Sequence, residues 1–497
     1  VTGGRSLASI LFWGAVAVLA AAHVVVAADS LLHNRLWEDE AFNLTVPRNL
    51  VAGLGYTSDG TLSGSVLTPW DIRISTGPVV LLPIAATMAL GADPVLGGRA
   101  VALAFWALLL AALFLLGRRL GGRWAGLVAV AAALALDASR GVSPIQGPAD
   151  VLGEIPAAAL IAWTFVVLRR RPWLAGLLLG LAVQSKLIAL LALPACFVWL
   201  LLAAPGGFGA RMATAFRRGW PALALLPVPT LAYEATIAAT LGGGYLDHLR
   251  ALVRFVRSGG QEYQGTTVVD KLGALAEAWW VPAGIAVTAA VMVAILAVAA
   301  VRPQRSPEPP TEDAAPPPDG ERLALIAAAA VGLLTFVGWW ATATQTPLWV
   351  RHPAPGLFAF APLLAAAAVA GIRRALAARA RPRRAAGGVA TAALVALLAT
   401  QAGLHASSAL TPEAADLASQ RADAGAIAAA LGAQATPLPD GYLAAHPWGA
   451  PVPVVFLTGA HIALWDAPGR AGSPRVTSRE CEPVIHQGER FRLCDPE

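Results

Sequence analysis

PWLAGLLLGLAVQSKLIALLALPACFVWLLLAA, residues 172–204, is an apolar stretch of 33 residues interrupted only by Gln184-Ser185-Lys186. Arg169, Arg170 and Arg171 precede it; Arg211, Arg217 and Arg218 follow. Short arginine-rich loops of membrane proteins stay on the cytoplasmic side. A single crossing would put the two clusters on opposite faces, whereas two crossings, each shorter than usual, return both to one face. Lys186 then lies near the outer apex, and the register of every other span follows from this reading.

Working outward, the chain is 57% hydrophobic with a mean hydropathy of +0.62. Its repeated apolar runs near or above ~18 residues are transmembrane helices rather than soluble domains. The net charge of +6 sits in short loops between those runs, which points to cytoplasmic membrane loops and away from nucleic acid. Residues 7–28 span first, with Arg5 inside and no small-residue cleavage site after them, so an uncleaved helix is expected. The run 78–90 is too short to cross, and counting it would push Arg118, Arg119 and Arg123 outside. It reads as a re-entrant or juxtamembrane helix on the outer side. Further spans are expected at 94–116, 124–138, 151–168, 220–240, 279–301, 323–343, 353–371 and 387–404.

The expected architecture is an all-α polytopic membrane protein of about eleven transmembrane helices, N-terminus in and C-terminus out. Residues 1–404 form the membrane domain, with the first outer loop at 29–93. The Pro- and acid-rich stretch 303–321 reads as a disordered cytoplasmic linker. Residues 405–497 read as a small extracytoplasmic α/β domain, helical over 413–431 and with strands at 452–457 and 461–465. Cys196, inside an apolar run, reads as a small core residue. Cys481 and Cys494 in the polar tail are placed to form a disulfide in an oxidising compartment.

The first outer loop carries Trp37-Glu38-Asp39-Glu40-Ala41-Phe42-Asn43-Leu44, with three consecutive carboxylates in a chain only 13% charged. On a helix, Glu38 and Glu40 point away from Asp39. Asp150 with Glu154, Lys186, the loop around Tyr263, and Arg351-His352 fall on the same outer face. Ionisable groups at membrane depth are costly; singly they are anchors or structural pairs, but five sets on one side point to a functional cavity. With only two lysines in the chain, Lys186 and Lys271, either one departs from the local arginine habit.

These motifs resemble those of the GT-C superfamily of polyprenyl-phosphate-dependent glycosyltransferases, in the branch of protein O-mannosyltransferases and lipid A aminoarabinose transferases. The resemblance covers about residues 8–372. Trp37-Glu38-Asp39-Glu40-Ala41 is similar to the family's acidic motif, with Asp39 at the position of its catalytic acid. Gly117-Arg118-Arg119-Leu120-Gly121-Gly122-Arg123 is similar to its basic turn, and Gly180 to Lys186 to a run ending in threonine-lysine, here Ser185-Lys186. Arg351-His352-Pro353-Ala354-Pro355 resembles an Arg-Tyr motif that opens a late span. Asp150 and Glu154 compete for a second outer acid, with register favouring Glu154; Glu40 is a further supporting acid.

The resemblance implies transfer of a sugar from a polyprenyl-phosphate donor to a hydroxyl of a lipid, cell-wall glycan or protein acceptor, with inversion. The enzyme would be a hexosyl- or pentosyltransferase, with mannose and arabinose as the candidate sugars. Its place would be a bacterial inner membrane, with the active site extracytoplasmic. Asp39 would be the general base, and Lys186 and Arg351, with His352 beside them, would hold the donor phosphate. Tyr56, Arg73 and Tyr263 are candidate substrate contacts. No metal-ligand motif appears and no cofactor is implied, although clustered carboxylates leave room for a divalent cation. The competing readings are a polyprenyl-linked lipid or sugar flippase, and a structural membrane protein with a sensing tail.

Overall fold

The computed structural model describes residues 7–136, 145–258, 265–278, 319–411, 415–434, 436 and 438–496. The expected span 279–301, Tyr263 and residues 303–318 of the expected linker lie outside them. The described helices up to residue 409, in chain order, are α1 (Leu7–Leu32), α2 (Glu38–Val51), α3 (Pro78–Ala89), α4 (Pro94–Gly121), α5 (Arg123–Ala135), α6 (Glu154–Val167), α7 (Pro172–Val183) and α8 (Leu193–Leu202). Then come α9 (Phe208–Leu225), α10 (Val228–Leu241), α11 (Tyr245–Arg257), α12 (Val268–Ala278), α13 (Asp319–Thr342), α14 (Ala354–Leu376) and α15 (Arg381–Ala409). Six helical stretches among the described residues are long and apolar enough to cross a membrane, alongside shorter apolar helices. The chain is a multi-pass membrane protein.

Helices α4 and α14 pack on each other and both pack on α5 and on α6 to form the centre, with α6 and α14 buried along most of their length. By contrast α1 exposes Leu7, Trp13 and Val18, and α9 exposes Phe216 and Trp220. Apolar surface of that extent suits acyl chains rather than water. Local chemistry sets the helix ends. Asp93 accepts from Val95 N and Leu96 N at 3.0 and 2.9 Å, and Pro94 occupies the first turn of α4, where its missing N–H costs nothing. Between α4 and α5 the chain turns at Gly122, with φ of +79°, and a Cβ on Gly117 would lie 2.7 Å from the Ala125 carbonyl oxygen. The glycines of the basic turn therefore let two helices meet backbone to backbone.

The arginine-rich ends gather. Arg373 donates to Gly121 O at 3.2 Å, Arg119 to Val166 O at 2.8 Å, and Arg169 pairs with Glu321. That last contact revises the expected linker, because Asp319–Glu321 already belong to α13. The stretch 172–204 breaks as read. Helix α7 ends at Val183, Lys186 is extended at φ −155° and ψ 121°, and a 3-10 turn over Leu187–Ala192 leads into α8.

In the tail, α16 (Leu417–Ala433) precedes a five-stranded sheet, with α17 (Pro451–Leu457) between its first two strands. The strands are β3 (Tyr442–His446), β4 (His461–Leu464), β5 (Arg475–Thr477), β6 (Val484–Gln487) and β7 (Arg492–Cys494); β1 (Thr57–Ser58) and β2 (Thr68–Pro69) form a separate antiparallel pair between α2 and α3. The sheet order is β4-β3-β5-β7-β6, with β3, β4 and β5 parallel and β7 antiparallel to both its neighbours. Residues 452–457, expected as a strand, are helix α17. A short buried apolar run does not by itself distinguish the two, and Pro453 would have removed a ladder hydrogen bond that the first turn of a helix does not need. A disulfide joins Cys481 to Cys494, with Cα atoms 6.3 Å apart.

The tail lies on α2, α3 and the segment between them. Leu44 of α2 and Leu81 and Ile84 of α3 share one buried apolar cluster with Leu417, Val452, Phe456 and Ile462. Fully buried Asp59 clamps the two parts together. It accepts from Arg48 at 2.8 Å, Asn49 at 2.9 Å and Ile462 N at 2.8 Å, and His461 Nδ1 lies 2.9 Å away. Burial alone would raise the Asp59 pKa, but the His461 hydrogen bond, the Arg48 charge and the other donors outweigh it and hold the carboxyl below its ordinary value. A depressed folded pKa stabilises above the unfolded value and is lost as pH falls through the folded one. Tail docking should therefore loosen only below about pH 4. In Asp59→Asn it should be loose at neutral pH, with the acid transition gone. Hydrogen exchange of the β3 and β4 amides checks both outcomes.

Candidate active site

Trp37 opens α2, and the first turn of that helix carries the three acids. They take three different environments. Glu40 is fully buried and turns inward to Arg99, which lies 2.9 Å from Oε2 and 3.3 Å from Oε1. Glu40 also accepts from Val151 N at 3.1 Å and from Trp37 N at 3.3 Å. The remaining Arg99 donors hold Asn34 O at 2.8 Å and Arg35 O at 2.9 Å, so this pair tethers the strip leading into α2. Glu38 is half-buried, and burial raises its pKa. Asp39 keeps 25% of its side chain exposed and forms an ion pair with Arg351.

Arg351 is buried, its guanidinium 4.9 Å from the Trp37 ring centroid and 5.0 Å from that of Trp349. Two aromatic faces leave a flat guanidinium few orientations. A further acid meets the broken stretch: Glu154 Oε1 is 2.8 Å from Lys186 Nζ, and Lys186 also donates to Ser75 Oγ at 2.9 Å. Glu154 stands at the N-terminus of α6, where the helix dipole favours a carboxylate. Asp150 takes no part in that pair. It accepts from Gln146 N at 2.5 Å, and burial, then the Glu40 charge, push its pKa well above the usual carboxylate range.

Close backbone approaches build the frame. Gly77 N donates to Ser185 O at 3.1 Å, and a Cβ on Gly77 would lie 1.8 Å from Gln184 O. A Cβ on Gly153 would lie 2.2 Å from Ser185 O. Asn43 donates to Thr76 Oγ1 at 3.0 Å and to Val151 O at 2.8 Å, joining α2 to both strips. Asp39, Arg351, Glu154 and Lys186 thus converge from four distant parts of the chain as two acids and two cations. His352 sits between Trp349, 5.4 Å between ring centroids, and Trp339, at 6.5 Å. Burial first, then the charges of Arg351, Lys186 and Lys271, hold its pKa well below the ordinary imidazole value, so the ring is neutral. Tyr56 stacks on Trp70 at 4.6 Å, with Tyr233 of α10 at 6.5 Å, in a separate aromatic group. Arg73 is exposed two residues before Ser75. Among the described residues no group of three or more His, Cys, Asp and Glu side chains gathers as metal ligands.

No family model matches the chain, and no curated protein matches it in sequence. Solved structures do. ArnT from Cupriavidus metallidurans in the apo state superposes with a TM-score of 0.58 at 14% identity, over 97% of each chain. The same protein bound to undecaprenyl phosphate gives 0.54 at 14% identity, again over 97% of each. The Archaeoglobus fulgidus oligosaccharyltransferase in its apo form gives 0.53 at 14% identity, over 93% of this chain and 69% of that one. The chain shares the fold of these solved structures.

Within this fold, several residues that shape the site carry little signal in the sequence. Arg99 is the clearest. A lone arginine inside the apolar run 94–116 is costly at membrane depth, and that cost was the available signal. Lys271, one of only two lysines, is fully buried and donates to Trp340 O at 2.7 Å. Gly77 and Gly153 carried no signal, because close approach between segments so far apart in sequence is invisible in either one.

Proposed function

We propose that the chain is an integral membrane glycosyltransferase that moves a sugar from a polyprenyl-phosphate donor to a hydroxyl of an extracytoplasmic acceptor. The observation that carries the reading is a solvent-reachable Asp39 paired with buried Arg351, beside the buried Lys186–Glu154 pair. Asp39 takes the proton of the acceptor hydroxyl while that oxygen attacks the anomeric carbon. The bond from that carbon to the phosphate oxygen breaks, and polyprenyl phosphate leaves with the electron pair. Arg351 offers a planar fork for the phosphate oxygens and Lys186 a compact charge. In a site shielded from water such cations stabilise developing charge far more than exposed ones do. Attack opposite the leaving group inverts the anomeric centre.

Eleven spans, with the acids and the 405–497 domain outside a bacterial inner membrane, complete the reading; the gathering of the arginine-rich turns at one end supports it. The test is transfer by purified protein from labelled polyprenyl-phosphate mannose or arabinose. Movement of the lipid between leaflets without transfer would select the flippase instead. Lys186→Met should lower kcat by about 10²–10³-fold, as expected for loss of one transition-state donor. It also strands a buried carboxylate, so Lys186→Met/Glu154→Leu should recover thermal stability without recovering activity. Recovery of both would sink the assigned role of Lys186.

A further inference from the structure

The tail sheet has the connectivity at which open α/β sheets bind ligands. From β3 the chain passes through α17 to β4 on one side, then crosses to β5 on the other, so all three parallel strands end at one edge and the winding reverses at β3. Ligands of such sheets bind outside the carboxyl ends of the strands at that reversal. Here those ends carry His446, Trp465 and Thr477, followed by exposed Asp466, Ser478 and Arg479. The Trp465 indole is 41% exposed, and its ring meets that of His446 edge to face at 4.4 Å between centroids.

The edge also points the right way. At the amino ends of β3 and β4, Tyr442 donates to Asp59 O at 3.1 Å, and Arg48, near the C-terminus of α2, donates to Ala460 O at 3.0 Å. Just past the carboxyl end of β3, Trp448 packs edge to face on Phe42, near the N-terminus of α2, at 5.9 Å. The sheet therefore runs alongside α2 in the opposite sense. Phe42 follows Asp39 by three residues and so shares its helix face.

We infer that this edge binds a saccharide chain, the glycan portion of the acceptor, and directs its end toward Asp39. A sugar ring presents one face of weakly positive C–H bonds, which suits the negative face of an indole, and a rim of hydroxyls that needs both donors and acceptors. Trp465 supplies the first; Asp466, Arg479, Ser478 and His446 supply the second. A lipid tail would leave that polar rim unpaired. The inference deepens the proposed transfer reaction and rests on it for the role of the glycan, but not for the binding itself.

Saturation-transfer NMR on the full chain in detergent tests it, with short soluble manno- and arabino-oligosaccharides as probes and a Ser/Thr-rich peptide as the competing class. Oligosaccharide should bind to the unaltered protein and to Asp39→Asn alike, with affinity about tenfold or more weaker in Trp465→Ala and partly restored in Trp465→Phe. In acceptor kinetics Trp465→Ala should raise KM with kcat nearly unchanged. Equal binding by Trp465→Ala, binding of the peptide alone, or no binding by any saccharide overturns the site. Binding that depends on Trp465 in a protein that transfers no sugar would instead sink the proposed activity and leave this site standing.

Discussion

Asp39→Asn should lower transfer by about 10²–10⁴-fold, the range typical of a positioned general base. The substitution keeps the shape of the side chain and removes its charge, so the acceptor hydroxyl loses its proton acceptor. Arg351 keeps both flanking rings, Trp37 and Trp349, and donor affinity should change far less than rate. The side chain is a quarter exposed, so the melting temperature should move by no more than about 2–4 °C. Asp39→Glu should fall between the two, because it keeps the carboxylate but displaces it. Rates from single-turnover transfer, with donor binding measured separately, check the split. Full activity in Asp39→Asn would remove the proposed mechanism.

Arg99→Met should destabilise the protein by about 3–5 kcal/mol, the usual cost of stranding one member of a buried ion pair. Glu40 would be left with no charge partner at a position that water does not reach. The carbonyls of Asn34 and Arg35 lose their donors in the same step. In Arg99→Met/Glu40→Leu the stranded charge is gone, and thermal stability in detergent should return. Activity should stay low, because the strip that leads into Asp39 is no longer tethered. A double variant as active as the unaltered protein would make the Arg99–Glu40 pair dispensable for positioning.

The two acids, side by side in sequence, show how legibility was divided. Asp39 and Glu40 are equivalent by composition, and alternation alone sends their side chains to different faces of α2. Which face is solvent-reachable and which meets Arg99 depends on where α4 packs, sixty residues on. Asp150 and Glu154 divide in the same way: Glu154 opens a helix facing Lys186, while Asp150 turns back on its own loop. Register favoured Glu154, but neither residue's surroundings were readable before residues 145–153 were folded against α2. The misread segment 452–457 has a local cause, since a six-residue buried apolar run satisfies strand and helix patterns equally.

By itself the sequence determined that the chain spans a membrane repeatedly and that the apolar stretch 172–204 breaks at Gln184-Ser185-Lys186. Those are one-dimensional properties: apolar length against bilayer thickness, and the position of arginine between runs. Only tertiary structure decided which acid pairs with which cation, and that the tail lies along α2 with its strand ends toward Asp39. An ion pair at 2.8 Å between residues 154 and 186, or a clamp between 59 and 461, is set by how helices cross and loops fold back. Those contacts join segments tens to hundreds of residues apart, and no local pattern in either partner encodes the distance between them.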